Sequence, residues 1–128
     1  MPKLEPCPCG SNLPVTQCCQ RYHDSLAIAP TAEALMRSRY SAYVLANVAY
    51  LKATWHPDSL PPGFQLEHQD QTQWLGLSIK RHENSDGDHA IVEFVARYKI
   101  NGRAYRLHEI SRFVREQGRW YYLDGATG

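Results

Sequence analysis

The cysteine spacing is the most constraining feature of this chain, because all four cysteines fall within thirteen residues, at Cys7, Cys9, Cys18 and Cys19. No apolar secretion segment precedes them, which predicts a cytoplasmic, reducing environment. Clustered cysteines there are more often metal ligands than disulfides. Each pair can present two thiolates to one point, and the eight residues between the pairs suffice to turn the chain back. We therefore predict a closed four-thiolate site, with Zn²⁺ as the default ion.

Other assignments of the cysteines are also compatible with the sequence. The four thiols could stay reduced without a metal, or one disulfide could join the two pairs. His23, four residues beyond Cys19, could replace one cysteine as a ligand. Composition does not exclude iron in place of zinc. A bound ion would supply most of the folding free energy of residues 1–23, since so short a segment has almost no core of its own.

Charge and hydropathy exclude several classes of protein. Fourteen basic and 13 acidic residues give a net charge of +1, which argues against non-specific nucleic-acid binding. No apolar run approaches the roughly 20 residues that cross a bilayer, so membrane insertion is not expected. With 128 residues, 43% of them hydrophobic, the chain is predicted to form one globular domain with a small appendage.

The segment after the cysteines predicts two helices. Thr31 is in position to cap residues 32–46, which are strong helix formers without glycine or proline. Apolar side chains spread over a broad arc of this helix. The remaining positions are polar: Arg37, Ser38, Arg39 and Ser41. Asn47 interrupts the pattern, and residues 48–55 predict a second, short helix.

The second half of the chain changes to a period of two, which is typical of strands. Alternating apolar residues predict strands over 74–81, 89–100, 103–115 and 120–123. Asn101-Gly102 is the strongest hairpin signal between them. Two helices followed by a four-stranded antiparallel meander define an α+β fold, with a curved sheet packed on the helices.

The cysteine segment resembles a known module. Cys7-Pro8-Cys9-Gly10-Ser11 followed by Cys18-Cys19 is similar to the SEC-C motif, a short metal-binding module of the translocation ATPase SecA and of many small bacterial proteins. SEC-C motifs often have glycine after the serine and histidine as the fourth ligand, where this chain has Asn12 and Cys19. The Cys-Cys variant implies a site formed by all four cysteines. The resemblance also implies a protein or ribonucleoprotein partner.

The resemblance extends over nearly the whole chain. The matching segments are 34–43 (ALMRSRYSAY), 50–51 (YL), 54–55 (TW), 74–77 (WLGL), 92–94 (VEF), 108–113 (HEISRF) and 120–125 (WYYLDG). Together they resemble the YchJ-like family, in which a SEC-C module precedes a cone of the nuclear-transport-factor-two-like (NTF2-like) fold. This implies a module at residues 1–23 and a cone at residues 31–128. The family has no established activity, so the resemblance implies an architecture rather than a reaction.

Cones of this fold use the concave face of the sheet as a pocket, and strand parity predicts which polar side chains enter it. On the third strand, Glu109 and Ser111 share the apolar face. An unpaired carboxylate is costly there, so Glu109 is either paired with Arg37 or Arg39, or a tuned acid or base. Trp55 completes the candidate pocket, with packing as its expected role.

His108 and Glu93 are predicted to lie outside this pocket. His108 has the opposite parity and is expected on a solvated face, although a bulge that shifted the register would place it beside Glu109 as an acid/base couple. Glu93 is expected to be exposed or paired with a neighbouring strand.

Three kinds of function are compatible with these features. The favoured one is an interaction module, in which the metal site and the polar residues Lys3, Arg21 and His23 contact a protein or ribonucleoprotein. The alternative is a small-molecule-binding protein or a lyase or isomerase, with Glu109 as base and Arg39 or Arg37 as its electrostatic partner. The third is a structural subunit that forms a homodimer through the open face of the sheet.

Overall fold

The computed structural model describes residues 7–11, 13–24, 27–64 and 72–127. Within these residues the N-terminal part contains one 3-10 turn and three α-helices: Val15–Gln17, then α1 (Cys19–His23), α2 (Ala32–Val44) and α3 (Val48–Ala53). Four strands follow: β1 (Thr72–Asp86), β2 (His89–Ile100), β3 (Arg103–Glu116) and β4 (Arg119–Thr127). The helices and the four-stranded sheet confirm the predicted α+β class.

Helix α2 begins and ends at residues with clear local causes. Thr31 caps its start as predicted, because Thr31 Oγ1 accepts a hydrogen bond of 3.0 Å from the backbone N–H of Ala34. At the other end, Ala46 has a φ of 58°, in the left-handed region. The helix therefore ends at Val44, short of the predicted residue 46.

Replacement of Thr31 by alanine is expected to lower the free energy of unfolding by about 1 kcal/mol, since the N–H of Ala34 then loses its acceptor. Thr31→Ser keeps the hydroxyl and should stay close to the original stability. Urea denaturation of the three proteins measures the difference. If the alanine and serine variants unfold at the same midpoint, the cap does not stabilise the helix.

The polar positions of α2 are more deeply buried than the sequence predicted. Ser38, Arg39 and Ser41, assigned to its polar side, have exposed fractions of 0%, 3% and 0%. The reason is that α2 contacts α1 and α3 as well as the sheet. The buried polar groups keep partners, since Ser38 Oγ donates to the carbonyl of Leu35 at 2.8 Å and lies 2.7 Å from the Tyr50 hydroxyl.

The sheet is the predicted meander, with antiparallel strands in the order β1-β2-β3-β4. Asn101 and Gly102 form the tight turn between β2 and β3, with φ values of 52° and 80°. Both values are positive, as a two-residue turn compatible with strand twist requires. Strands β1 and β4 run beyond their predicted bounds, because pairing with their neighbours continues into polar residues.

Irregular pairing curves the sheet around α2. The register of β1 against β2 shifts at three places, between Trp74 and Gly76, Ile79 and Arg81, and Asn84 and Asp86. Each shift leaves one extra residue on β1, and such bulges bend a strand and increase its twist. The resulting concave face packs on α2, and side chains of both elements form the core, including Val92, Phe94, Phe113, Leu35 and Met36.

Candidate functional site

The first cysteine pair lies in a tight loop. The N–H of Cys7 donates to the carbonyl of Leu13 at 2.8 Å, and the N–H of Gly10 donates to the carbonyl of Cys7 at 3.2 Å. Gly10 has a φ of 84°, a conformation that favours glycine. This turn directs Cys7 and Cys9 back toward the second pair.

The second pair lies at the start of a helix. The turn Val15–Gln17 is closed by the N–H of Cys18, which donates to the carbonyl of Val15 at 3.1 Å. Cys19 then begins α1. Adjacent side chains normally point in different directions. Here the backbone passes from the 3-10 turn into helix α1 at Cys18 and Cys19, and both sulfurs therefore reach one point.

The four cysteine sulfurs form a single cluster in which all lie within 4.8 Å of one another. The Sγ atoms of Cys9 and Cys18 are 3.6 Å apart, and those of Cys18 and Cys19 are 4.0 Å apart. Four thiolates about 2.3 Å from one tetrahedral ion would lie about 3.8 Å from one another. All four cysteines are buried and free of disulfides. The geometry therefore suits a closed metal site, and a cross-pair disulfide is absent among the described cysteines.

Hydroxyl groups support the sulfurs from two sides. Ser11 Oγ lies 3.1 Å from Cys18 Sγ, within the cysteine segment. Ser41 Oγ, on α2, lies 3.5 Å from Cys7 Sγ. Hydroxyl donors of this kind orient thiolate ligands and tune their charge. The Ser41 contact also joins the cysteine cluster to α2.

Burial and mutual hydrogen bonding perturb the thiols. Burial raises the pKa of the Cys18 thiol. Hydrogen bonds from the Cys19 and Cys9 thiols lower the pKa of Cys7. A metal ion that binds thiol groups displaces their protons, so binding to this cluster would depend on pH.

Arg37 contacts the cysteine segment instead of lining the pocket. Its Nη1 donates to the carbonyl of Cys9 at 2.8 Å, and its Nε donates to Glu33 Oε2 at 3.1 Å. The prediction that Arg37 enters the pocket is therefore wrong. On a helix, residues two apart point in nearly opposite directions, so Arg37 and Arg39 serve different sites.

His23 lies outside the cysteine cluster in the described part of the chain. Its Nε2 lies 2.8 Å from the carbonyl oxygen of Ser38, and its ring packs 4.5 Å from the ring of Tyr50. These contacts join α1 to α2 and α3. Arg21 donates to the carbonyl of Cys18 at 3.2 Å and is exposed. Lys3 lies outside the described residues.

A cavity of about 230 Å³ lies between α2 and the concave face of the sheet. Its lining is mainly aromatic and apolar, with polar groups from both walls: Met36, Arg39, Tyr40, Tyr43, Trp74, Phe94, Ala96, Leu107, Glu109, Ser111 and Tyr122. Three of the five predicted pocket residues are therefore present. The two missing are Arg37 and Trp55, and Trp55 instead packs 5.1 Å from the ring of Tyr122.

Arg39 is the buried cation of this cavity. Its Nη1 donates to the carbonyl of Leu51 at 2.9 Å and to Thr54 Oγ1 at 2.7 Å. Its guanidinium carbon lies 4.5 Å from the ring centre of Tyr122 and 5.1 Å from that of Trp55. Burial lowers the pKa of Arg39, since a charge deprived of water is costly to hold.

Glu109 is the carboxylate of the same cavity. Ser111 Oγ donates to Glu109 Oε1 at 2.8 Å, and the Tyr122 hydroxyl donates to the same oxygen at 3.5 Å. Among the described residues, no ion pair joins Glu109 to Arg37 or Arg39. Of the two predicted roles of Glu109, the buried ion pair is therefore wrong, and Tyr122 contacts both Glu109 and Arg39 instead.

His108 and Glu93 pair on the other face of the sheet. His108 Nε2 lies 2.6 Å from Glu93 Oε2, and Arg81 Nε lies 3.5 Å from Glu93 Oε1. The register of β2 against β3 is unbroken, so no bulge brings His108 beside Glu109. Glu93 is thus paired with neighbouring strands as predicted, and the acid/base couple is wrong.

Sequence reasoning missed the roles of Tyr43, Tyr122 and Gly125. The parity of Tyr122 on the last strand is a usable signal, whereas the sequence pattern places Tyr43 only in the apolar arc of α2. A Cβ on Gly125 would lie 1.9 Å from Glu109 Oε1. No sequence pattern signals so close an approach of two chain segments.

The fold and the site define a class of protein, a cone of the NTF2-like fold joined to a SEC-C type of cysteine module. The sequence profile of the YchJ middle NTF2-like domain matches residues 31–125. This chain belongs to that family, as the resemblance predicted. Among the described residues, none of the helices combines the length and the hydropathy of a membrane-spanning segment.

Related proteins share both parts of the chain. A "UPF0225 protein" of Cupriavidus metallidurans is 57% identical over 126 residues, which are 94% of this chain and 87% of that protein. Another from Ralstonia nicotianae is 54% identical and covers 93% of this chain and 89% of its own length.

Two solved structures share the fold. A SEC-C motif containing protein from Psychrobacter arcticus has a TM-score of 0.82 at 34% identity, covering 97% of this chain and 83% of that one. The solution structure of a SEC-C motif containing protein from Rhodopseudomonas palustris has a TM-score of 0.81 at 29% identity, covering 97% and 99%. The predicted fold, an antiparallel sheet packed on helices with an N-terminal cysteine cluster, is confirmed.

Proposed function

We propose that this protein binds a small molecule in the cavity of its cone, and that one Zn²⁺ held by the four cysteines fixes the wall of that cavity. The observation that carries the proposal is a cavity of about 230 Å³ in which a buried guanidinium and a carboxylate converge without pairing. Charged groups are rarely buried without a partner. Ligand sites are typically apolar pockets with a few such polar groups.

The size of the cavity supports the same role. A buried cavity of about 150 Å³ is enough to bind benzene. The cavity here is larger, at about 230 Å³, and opens to the surface, so a ligand can enter. It is smaller than a typical drug-sized site, which restricts the ligand to a compact molecule.

Zinc is the proposed metal because a closed set of four thiolates is typical of structural zinc sites. Such a site leaves no open position for substrate, so its role is to hold the fold together. The free thiols suit a reducing compartment, and we place the protein in the cytoplasm.

Helix α2 links the metal centre to the cavity. Its Ser41 and Arg37 contact Cys7 and Cys9, while its Arg39 and other residues of the opposite side line the cavity. A metal ion that immobilises the cysteine segment therefore also positions one wall of the ligand site. This arrangement accounts for the presence of the cysteine module and the cone in one chain.

Substitution Ala96→Leu tests the cavity, because Ala96 is buried in its lining and a larger side chain fills the space. Fragments of up to about ten heavy atoms are screened by ¹⁵N NMR. We expect shifts at cavity amides in the original protein and their loss in the variant. Ala104→Leu, an exposed position on β3, is the matched control. The proposal fails if no fragment shifts the cavity amides, or if the filled variant binds equally well.

A second candidate is contact with a protein or ribonucleoprotein through the cysteine module. It is favoured by Leu13, which lies between the two cysteine pairs with 48% of its surface exposed, and by the exposed Arg21 nearby in sequence. Arginine is enriched in partner-binding surfaces, and the buried centre of such surfaces is apolar.

Substitutions Leu13→Glu and Arg21→Glu test this role without disturbing the metal ligands. A partner captured by the original protein should be lost from the double variant and retained by Leu45→Glu, an equally exposed leucine at the end of α2. Retention by both variants would refute the module as the contact. Homodimer formation stays a prediction, and the molar mass in solution tests it.

A further inference from the structure

The charges in the cavity restrict its ligand further. We infer that the ligand is a small organic acid with a ring-sized apolar body and a separate hydrogen-bond donor. Its carboxylate binds Arg39, and its donor binds Glu109. This inference rests on the proposed ligand-binding role and adds the chemical class of the ligand.

The buried guanidinium of Arg39 would be stabilised by a bound anion. Only 3% of Arg39 is exposed, and among the described residues it forms no ion pair. Its Nη1 donates to neutral oxygens of Leu51 and Thr54, and its further hydrogen bond is with the hydroxyl of Tyr43, which is also neutral. Contacts with aromatic rings compensate a buried cation only in part. A ligand carboxylate would supply the missing counter-charge through the planar donor fork of arginine.

The carboxylate of Glu109 can accept a further hydrogen bond from a donor on the ligand. Both described hydrogen bonds to it end on Oε1, from Ser111 and Tyr122, and Oε2 accepts none from the described residues. Burial raises the pKa of Tyr122, so its hydroxyl keeps the proton that it donates to Glu109. The second oxygen is then available for a hydroxyl or amine of the ligand.

Aromatic and apolar side chains define the body of the ligand. The groups that surround the two charges are mostly rings and aliphatic chains: Met36, Tyr40, Trp74, Phe94 and Leu107. A volume of about 230 Å³ accommodates one six-membered ring with two small substituents, since a cavity of about 150 Å³ holds benzene. Hydroxybenzoates have this size, a carboxylate and one separate donor, and serve as probes.

Calorimetry with the metal-loaded full chain compares four probes: meta-hydroxybenzoate, para-hydroxybenzoate, benzoate and phenol. Benzoate lacks the donor and phenol lacks the anion. We expect the better hydroxybenzoate to bind at least about ten-fold more tightly than either, because a site with buried polar groups rejects ligands that leave them unpaired.

Two variants assign the contacts. Arg39→Lys keeps the charge but loses the fork, and it should weaken hydroxybenzoate about ten-fold while leaving phenol unchanged. Glu109→Gln should reduce the preference for hydroxybenzoate over benzoate to about two-fold. Arg112→Lys is the control, since Arg112 pairs with Asp124 on the exposed face of the sheet.

The outcomes separate this inference from the proposed function. Equal affinity for phenol and hydroxybenzoate, or cavity binding by uncharged fragments alone, overturns the organic-acid class and leaves small-molecule binding in place. The absence of any cavity binding overturns both. If Arg39→Lys does not fold, the affinity ratios of the four probes on the original protein still decide.

Discussion

Removal of the metal ion is expected to unfold the cysteine module and to lower the stability of the whole domain by several kcal/mol. Structural zinc supplies about 10–16 kcal/mol of apparent binding free energy in small modules, and this energy drives their folding. Here the cysteines belong to the same buried cluster as Leu35 and Met36 of α2. Loss of the ion therefore exposes one side of that helix as well as the module.

Thermal unfolding followed by circular dichroism, with and without a chelator, measures this loss. Elemental analysis of the purified protein should give one zinc ion per chain. Cys9→Ser should reproduce the effect of the chelator, whereas Gln17→Ser, an exposed change within the same segment, should not. A chelator that leaves the melting temperature and the NMR signals of residues 7–24 unchanged would contradict the metal site.

Replacement of Gly125 by alanine is expected to lower the free energy of unfolding markedly as well. The added Cβ would lie 1.9, 2.5 and 2.9 Å from Oε1, Cδ and Cγ of Glu109, so the glutamate side chain must move. It would then lose its bond to Ser111, a residue with no exposed surface whose hydroxyl would be left without an acceptor. We expect a loss of about 2 kcal/mol in the free energy of unfolding and weaker ligand binding.

Gly87→Ala is the matched control, because nothing lies within 4 Å of a Cβ at that position. It should change the stability by less than about 0.5 kcal/mol. The double variant Gly125→Ala with Glu109→Ala isolates the cause, since alanine at 125 should then cost almost nothing. A cost that persists in the double variant would show that a neighbour other than Glu109 obstructs the new methyl group.

Local features of this fold were predictable because their causes are local. The hydroxyl of Thr31 reaches a backbone N–H three residues away, and Asn101-Gly102 adopts its turn through its own backbone preferences. Strand alternation likewise placed Glu109 and Ser111 on the cavity side, since parity persists along an unbroken register.

The positions of the two arginines of α2 could not be predicted from the sequence. Arg37 and Arg39 interrupt a broad apolar arc, and the pattern does not indicate which of them faces the sheet. The structure directs Arg37 to the carbonyl of Cys9 and Arg39 to the cavity. Which arginine faces the cavity depends on how α2 is rotated about its own axis where it packs between the sheet and the cysteine module.

The amino-acid order alone thus determined the cysteine cluster, the α+β class, the hairpins and the side of β3 that carries polar groups, since these depend on spacing and periodicity. Only the tertiary structure decided that Glu109 contacts Ser111 and Tyr122, that Arg39 lacks a carboxylate partner, and that Gly125 leaves room for a side chain from another strand. These contacts join residues far apart in the chain, and their distances depend on how the sheet curves around α2.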